Sequence, residues 1–218
     1  MAKYLIKFSK KGYIKFTSHL DLIRLFKRCF KKADIKLMYS SGFNPHPKMA
    51  FAQPLSLGFI SEGEVLEIET QESIPCEELR RKLQETMPNG IDIISCSIQT
   101  DGKSFGSTLD EAKYRIMVSD ITISNESQID DFFNQEEIIV KKRKKKKKNE
   151  FREINIKDKI RSWTYNLIDN NLIIETNLDA GSESNLNPDM VLTPLLDYLS
   201  INKDSVNVEI TRLELKCK

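Results

Sequence analysis

The chain has 218 residues, 39% of them apolar and 30% charged, which fits a soluble protein of one large or two small domains. No apolar run approaches the roughly 20 residues that a membrane-spanning helix needs, and MAKYLIKFSKKGY alternates apolar with basic residues instead of forming a signal-peptide core. Net charge is only +2, but eight cations are consecutive, Lys141 to Lys148, and Asp21 is the sole acid among the first 32 residues. Two basic regions on an otherwise acidic chain point to a polyanionic partner, and the composition as a whole to a cytoplasmic protein with no membrane association.

YLIKFSKKGYIKF reads as a strand that can turn back as a hairpin at Lys11-Gly12, with Tyr4, Ile6 and Phe8 on one face. SHLDLIRLFKRCFKKAD reads as a helix. Ser18 caps it, Asp21 stands near its positive end, and Leu22, Ile23, Phe26, Cys29, Phe30 and Ala33 form its buried face. Arg24, Lys27, Arg28, Lys31 and Lys32 fall largely on the exposed side. Pro45, Pro47 and Pro54 keep the next stretch extended, and Met49, Phe51, Val65, Leu66 and Ile68 suggest strands around a bend between Gly58 and Gly63. CEELRRKLQETMP is a second helix, started by Ser73 or Pro75, and IDIISCSIQ a strand.

The β-α-β-β-α-β order over residues 1–100 is the ferredoxin-like arrangement. DGKSFGSTL, Asp101 to Leu109, reads as a linker. The remainder, 110–218, repeats a similar grammar: a strand at AKYRIMVSD, a short helix at ESQIDDFFN, a hairpin carrying the lysine block, and strands at SWTYNLI and NLIIETNLD. A helix at PDMVLTPLLDYLS and a closing strand at VNVEITRLELK complete it. The expected fold class is α+β: two ferredoxin-like domains in tandem, antiparallel sheets with helices on one face.

The chain contains two histidines, and each has a distinctive setting. His46 lies between Pro45 and Pro47 in SSGFNPHPKMAF; the prolines restrict Asn44 and His46 to extended backbone, which presents the imidazole at little ordering cost or merely stiffens a turn. His19 falls in the first turn of the first helix, where it can cap or pack, or line a groove with Asp21 and Arg24. Two histidines can act as acid and base in RNA cleavage. No HExxH, P-loop, GxGxxG or GxSxG pattern is present, and Cys29, Cys76, Cys96 and Cys217 are too widely spaced for a local metal motif, so no metal is expected. Arg24, Lys27, Arg28 and Lys31, with Lys141, Lys142, Arg143, Lys144 and Lys145 of the lysine block, are the candidate phosphate contacts. Tyr4, Phe8, Tyr13 and Phe16 are aromatics that can pack in a core or stack on bases.

Three phrases together, FTSHLDLIRLFKRCFKKA, YSSGFNPHPKMAFAQPLSLGF and SEGEVLEIE, resemble the bacterial radical SAM-linked domain family. The resemblance spans about Lys3 to Ile98, and the second half matches in outline. It implies a partner subunit of a radical SAM protein with a B12-binding-type domain, and RNA as the substrate. It also implies that iron–sulfur cluster and SAM belong to that partner, with no cofactor bound by this chain. The family's characteristic residues fall on Ser18, His19, Asp21, Arg24, Ser40, Gly42, Phe43, Asn44, Pro45, His46, Pro47, Glu62 and Glu64. Three readings stay open: an RNA-binding accessory protein of a radical SAM enzyme, a metal-independent endoribonuclease using His19 and His46 with Asp21 beside them, and a protein-interaction adaptor without nucleic acid.

Overall fold

The computed structural model describes residues 2–100, 102–123, 125–143 and 150–218, with Arg143 described by its backbone alone. It is a mixed α+β structure whose strands pair mainly antiparallel. The chain divides into two units, one running to Asp110 and including Thr211–Lys218, the other Glu111–Ile210. The last eight residues, read from the sequence as the end of the second domain, thus cluster with the first unit. Among the described residues no helix is long and apolar enough to cross a membrane.

In the first unit, β1 (Ala2–Lys10) places Tyr4, Ile6 and Phe8 on one face, and all three are fully buried. β3 (Ile60–Thr70) pairs antiparallel with one edge of β1, and β4 (Ile93–Ile98) with the other. β2 (Met49–Phe51) pairs antiparallel with β3, giving the order β4-β1-β3-β2. The hairpin expected at Lys11-Gly12 does not form. Gly12, at φ +56°, turns the chain into a 3₁₀ segment, Gly12–Phe16, because β3 and β4 already occupy both edges of β1.

α1 (His19–Lys32) starts where Ser18 accepts a hydrogen bond from the Asp21 amide, and buries Leu22, Phe26, Cys29 and Phe30. Those residues recur at helical spacing, so one stripe packs on the sheet; each large apolar side chain buried there is worth roughly 1.5–3 kcal/mol. Phe26 meets Phe8 at 4.9 Å and Phe51 at 5.4 Å between ring centroids. α2 (Cys76–Gln84) adds Leu79 and Leu83, and the buried Tyr4 hydroxyl ties its lead-in by donating to the Ile74 carbonyl at 2.7 Å. A single turn, α3 (Phe105–Thr108), stands where the linker was expected.

The second unit holds β5 (Leu109–Ser119), α4 (Ser127–Phe133), β6 (Ile139–Arg143), β7 (Phe151–Asn155), β8 (Ile160–Ile168), β9 (Asn171–Asp179) and α5 (Asp189–Tyr198). The first residues of β10 (Asn207–Cys217) lie beside β5, so its sheet runs β10-β5-β9-β8. β8 and β9 turn at Asp169 and Asn170, both at positive φ, the backbone that a tight two-residue hairpin requires. β6 and β7 form a separate two-stranded sheet. The core gathers Ile116, Ile129, Phe132, Leu172, Ile174, Val191 and Leu195, and Trp163 stacks on Phe133 at 4.6 Å.

Candidate functional site

The second half of α1 faces a small hairpin built from the proline-rich segment. The Ser40 amide donates to the His46 carbonyl at 2.8 Å and the Lys48 amide to the Met38 carbonyl at 2.7 Å. Tyr39 bridges to Pro47, and the Ser40 hydroxyl accepts from the His46 amide at 3.0 Å. Pro45 and Pro47 have no amide hydrogen, so the His46 N–H is the one backbone donor of that tripeptide, and the Ser40 hydroxyl satisfies it. Gly42, at φ +124°, opens the tip and leaves Phe43 fully exposed. The base is held by Glu69 of β3: the Met38 amide donates to its carbonyl, and its own amide donates to the Lys48 carbonyl.

Between this hairpin and α1 lies a cleft of about 680 Å³. Phe30, Ile35 and Leu37 supply its apolar floor, while Lys27, Arg28, Lys31 and Lys36 bring four cations against one acid, Asp34. His46 and the exposed Tyr39 form the facing wall. Lys27 and Lys31 stand one helical turn apart, about 6 Å along the axis. Among the described residues no ion pair within 4 Å engages Lys27, Arg28 or Lys31, although the Arg28 charge helps to lower the Asp21 carboxyl, and Lys36 reaches Glu72 at 3.9 Å.

The first half of α1 carries a different group. The Ser18 hydroxyl donates to Asp21 Oδ2 at 2.7 Å, and Arg24 Nη1 donates to Asp21 Oδ1 at 2.8 Å. The Ser18 hydrogen bond, then that of Arg24, holds the Asp21 carboxyl below the usual carboxylate range. His19 packs edge-on to Phe51 at 5.5 Å. It does not line the cleft that His46 lines; Lys27 lies eight residues, about 12 Å, further along the helix.

A third group is buried. Arg212 Nε donates to Glu64 Oε1 at 2.7 Å, and its Nη2 donates to Glu64 Oε2 and to the Gln53 carbonyl at 2.9 Å. Arg212 is 1% exposed and Glu64 3%. Lys10, equally buried, donates to the Thr17 carbonyl at 3.0 Å; burial holds its ammonium below the usual lysine range, Glu64 opposes that shift and Arg212 adds to it. Gly63 is required here because any side chain would strike the Leu213 carbonyl at 2.6 Å where β10 passes β3.

The residues singled out in the sequence therefore fall into three places. Ser18, Asp21 and Arg24 form one hydrogen-bonded cluster, with His19 beside them on Phe51. Ser40, Gly42, Phe43, Asn44 and His46 belong to the hairpin, which shares the cleft with Lys27, Arg28 and Lys31. Glu64 is buried against Arg212, while its neighbour Glu62 is exposed on β3. Lys141 and Lys142 lie exposed on β6; Lys144 and Lys145 fall outside the described residues. Sequence reasoning missed Lys36 and Tyr39, which flank the prolines, and the Arg212–Glu64 pair. No local alternation marks Arg212, since Ile210, Thr211 and Arg212 are buried in succession on β10.

Among the described residues no three His, Cys, Asp or Glu side chains gather where they could hold a metal ion. Cys96 of β4 lies beside Cys76 of α2; burial first, then the neighbouring Cys76, pushes the Cys96 thiol up to about 12.

Similar folds occur in solved structures. A chain of a Cbf5-Nop10-Gar1 complex matches with a TM-score of 0.54 at 10% identity, over 96% of this chain and 47% of that one. A chain of the archaeal box H/ACA sRNP Nop10-Cbf5 complex matches with a TM-score of 0.49 at 9% identity, over 96% and 46%. This chain thus spans about half the length of either. No curated protein matches its sequence significantly. Residues 3–188 match a family model, and the chain belongs to that family, described as "Uncharacterized protein conserved in bacteria (DUF2344)".

Proposed function

We propose that this protein is a cytoplasmic RNA-binding accessory subunit whose binding surface is the cleft between α1 and the GFNPHP hairpin. One observation carries the reading: four cations with a single acid surround an apolar floor, next to an exposed tyrosine and imidazole. An excess of cations over acids attracts phosphates by charge, and exposed rings give bases a face to stack on. Lys141 and Lys142, exposed on β6 of the second unit, are separate candidate phosphate contacts.

The partner follows from the resemblance of the SHLDLIR, GFNPHP and SEGEVLEIE blocks to the radical SAM-linked family. It is a radical SAM protein with a B12-binding-type domain, which carries the iron–sulfur cluster and SAM while this chain holds the RNA. The fold proposed with it is a pair of ferredoxin-like units. The orders β4-β1-β3-β2 and β10-β5-β9-β8 support it, the second unit carrying the β6–β7 hairpin as an insertion between α4 and β8.

The test is titration of tRNA and rRNA fragments with the purified chain across a salt series. Affinity should fall with salt at a slope of about −2, the value for roughly three phosphates of a single strand. The RNA should remain intact. Cleavage that His19→Ala or His46→Ala abolishes would replace this reading with the endoribonuclease one, and no binding at low salt would leave the adaptor. Co-purification with the radical SAM protein tests the partner separately.

A further inference from the structure

We infer that the cleft takes an unpaired nucleotide of single-stranded RNA, its base against Tyr39 and His46 and its flanking phosphates on Lys27, Arg28 and Lys31; this rests on the RNA reading above. The two walls of the cleft differ in kind. The α1 wall offers only charge, which any nucleic acid satisfies. The hairpin wall offers ring faces over an apolar floor of Phe30, Ile35 and Leu37, which suits a base and not a phosphate.

Size and reach decide between strands. At about 680 Å³ the cleft lies within the range of small-ligand pockets, about 300–1,000 Å³, enough for a nucleotide and too small for a duplex. In an A-form duplex the bases are stacked and paired, and the major groove is too deep and narrow for side chains to read. A duplex could therefore touch the α1 cations, but its bases could not reach Tyr39.

The hairpin holds the backbone beneath its rings. The backbone at Tyr39 is fixed by its bridge to Pro47, and that at His46 by its amide bond to Ser40 and by the prolines on both sides. With the backbone already fixed, only side-chain rotation is lost when a base docks. Phe43, fully exposed at the tip beyond Gly42, has no packing role in this fold and is placed to stack on the adjoining base.

The experiment measures fluorescence anisotropy of the full chain with a labelled oligouridylate of about 12 nucleotides, with the same strand bearing abasic sites, and with an RNA duplex of equal length. The single strand should bind at least about 10-fold tighter than either, the scale of losing one stacked base. Tyr39→Ala and Phe43→Ala should each weaken the single strand and leave the duplex unchanged, while Tyr39→Phe keeps full affinity. Phe43 packs against nothing, so its variant folds normally and keeps the test open if Tyr39→Ala does not fold. Equal affinity for all three probes, or losses shared equally by strand and duplex, would overturn the inference and leave an RNA-binding protein that reads phosphates alone. Failure to bind any of the three at low salt would remove the RNA reading itself.

Discussion

The same chemical groups are put to opposite uses at two places in the first unit. Around Arg212 and Glu64, charges are taken out of water and matched to each other, with Lys10 beside them. Along the second half of α1, Lys27, Arg28 and Lys31 stay in water with no ion pair within 4 Å among the described residues. A desolvated charge must keep its partner, because losing one leaves the other buried and uncompensated. A solvated charge costs little to hold and keeps its attraction for a ligand. The difference teaches which cations fasten the chain to itself and which face outward to bind.

Breaking the buried side should produce the largest effect. Arg212→Met leaves the Glu64 carboxylate 3% exposed without its guanidinium. The expected loss is about 3–5 kcal/mol of unfolding free energy, read from urea titrations. Adding Glu64→Leu should restore much of it, since a well-packed apolar pair often equals a buried ion pair. A small loss in Arg212→Met would place this pair with the solvated charges and erase the contrast.

The exposed side should behave in reverse. Lys27→Ala with Lys31→Ala should move the unfolding free energy by no more than about 0.5 kcal/mol. The same change should flatten the salt slope of RNA binding by about 1.4, the share of two phosphate contacts on a single strand. Loss of stability without change in RNA binding would mean that these lysines serve the fold.

Glu69 and Glu175 lie between the two extremes. Hydrogen bonds from Lys48, and from Lys113 and Arg115, hold their carboxyls below the usual range against a partial desolvation that opposes the shift. A carboxylate whose pKa is lowered by folding stabilises the fold above its unfolded value, about 4.3, and that contribution disappears as pH falls through the lower folded value. Stability should therefore decline below about pH 4.3, and Glu69→Gln should flatten part of the decline, by at most about 1 kcal/mol because Lys48 is 41% exposed. A decline centred well above that pH would assign it to other groups.

The sequence disclosed one side of this comparison far better than the other. The α1 helix is a local object: Ser18 caps it, its apolar residues share a stripe, and its cations fall opposite, all within 15 residues. The cleft was legible only by half. Prolines at 45 and 47 forbid helix, but nothing in their spacing says that Tyr39 would return to bridge Pro47, nor that Lys36 would join Lys27 across the gap. A common site for His19 and His46, which the sequence left open, would need the loop to reach the first turn of α1, whereas its hairpin docks beside the second half. Arg212 and Glu64 are 148 residues apart, so their pairing depends on β10 reaching β3, which no local pattern encodes. The hairpin that Gly12 allows fails to form for the same reason: the glycine signals a turn, but long-range pairing fills both edges of β1.

The smallest expected effect carries the comparison over to neutral thiols. Cys96 is half-buried, with burial and the adjacent Cys76 together pushing its pKa up to about 12, whereas Cys217 is exposed at the end of β10. Alkylation needs the thiolate, and burial beside Cys76 keeps Cys96 in its neutral thiol form at pH 8. Iodoacetamide at that pH should therefore label Cys217 well before Cys96, as read by peptide mass spectrometry. Unfolding in urea should bring the two rates together, because the difference is one of surroundings and not of chemistry. If Cys96 reacted as fast as Cys217 in the folded protein, β4 and α2 would be opening at Cys76, and the apolar burial that separates paired from solvated charges would not be holding at that edge of the sheet.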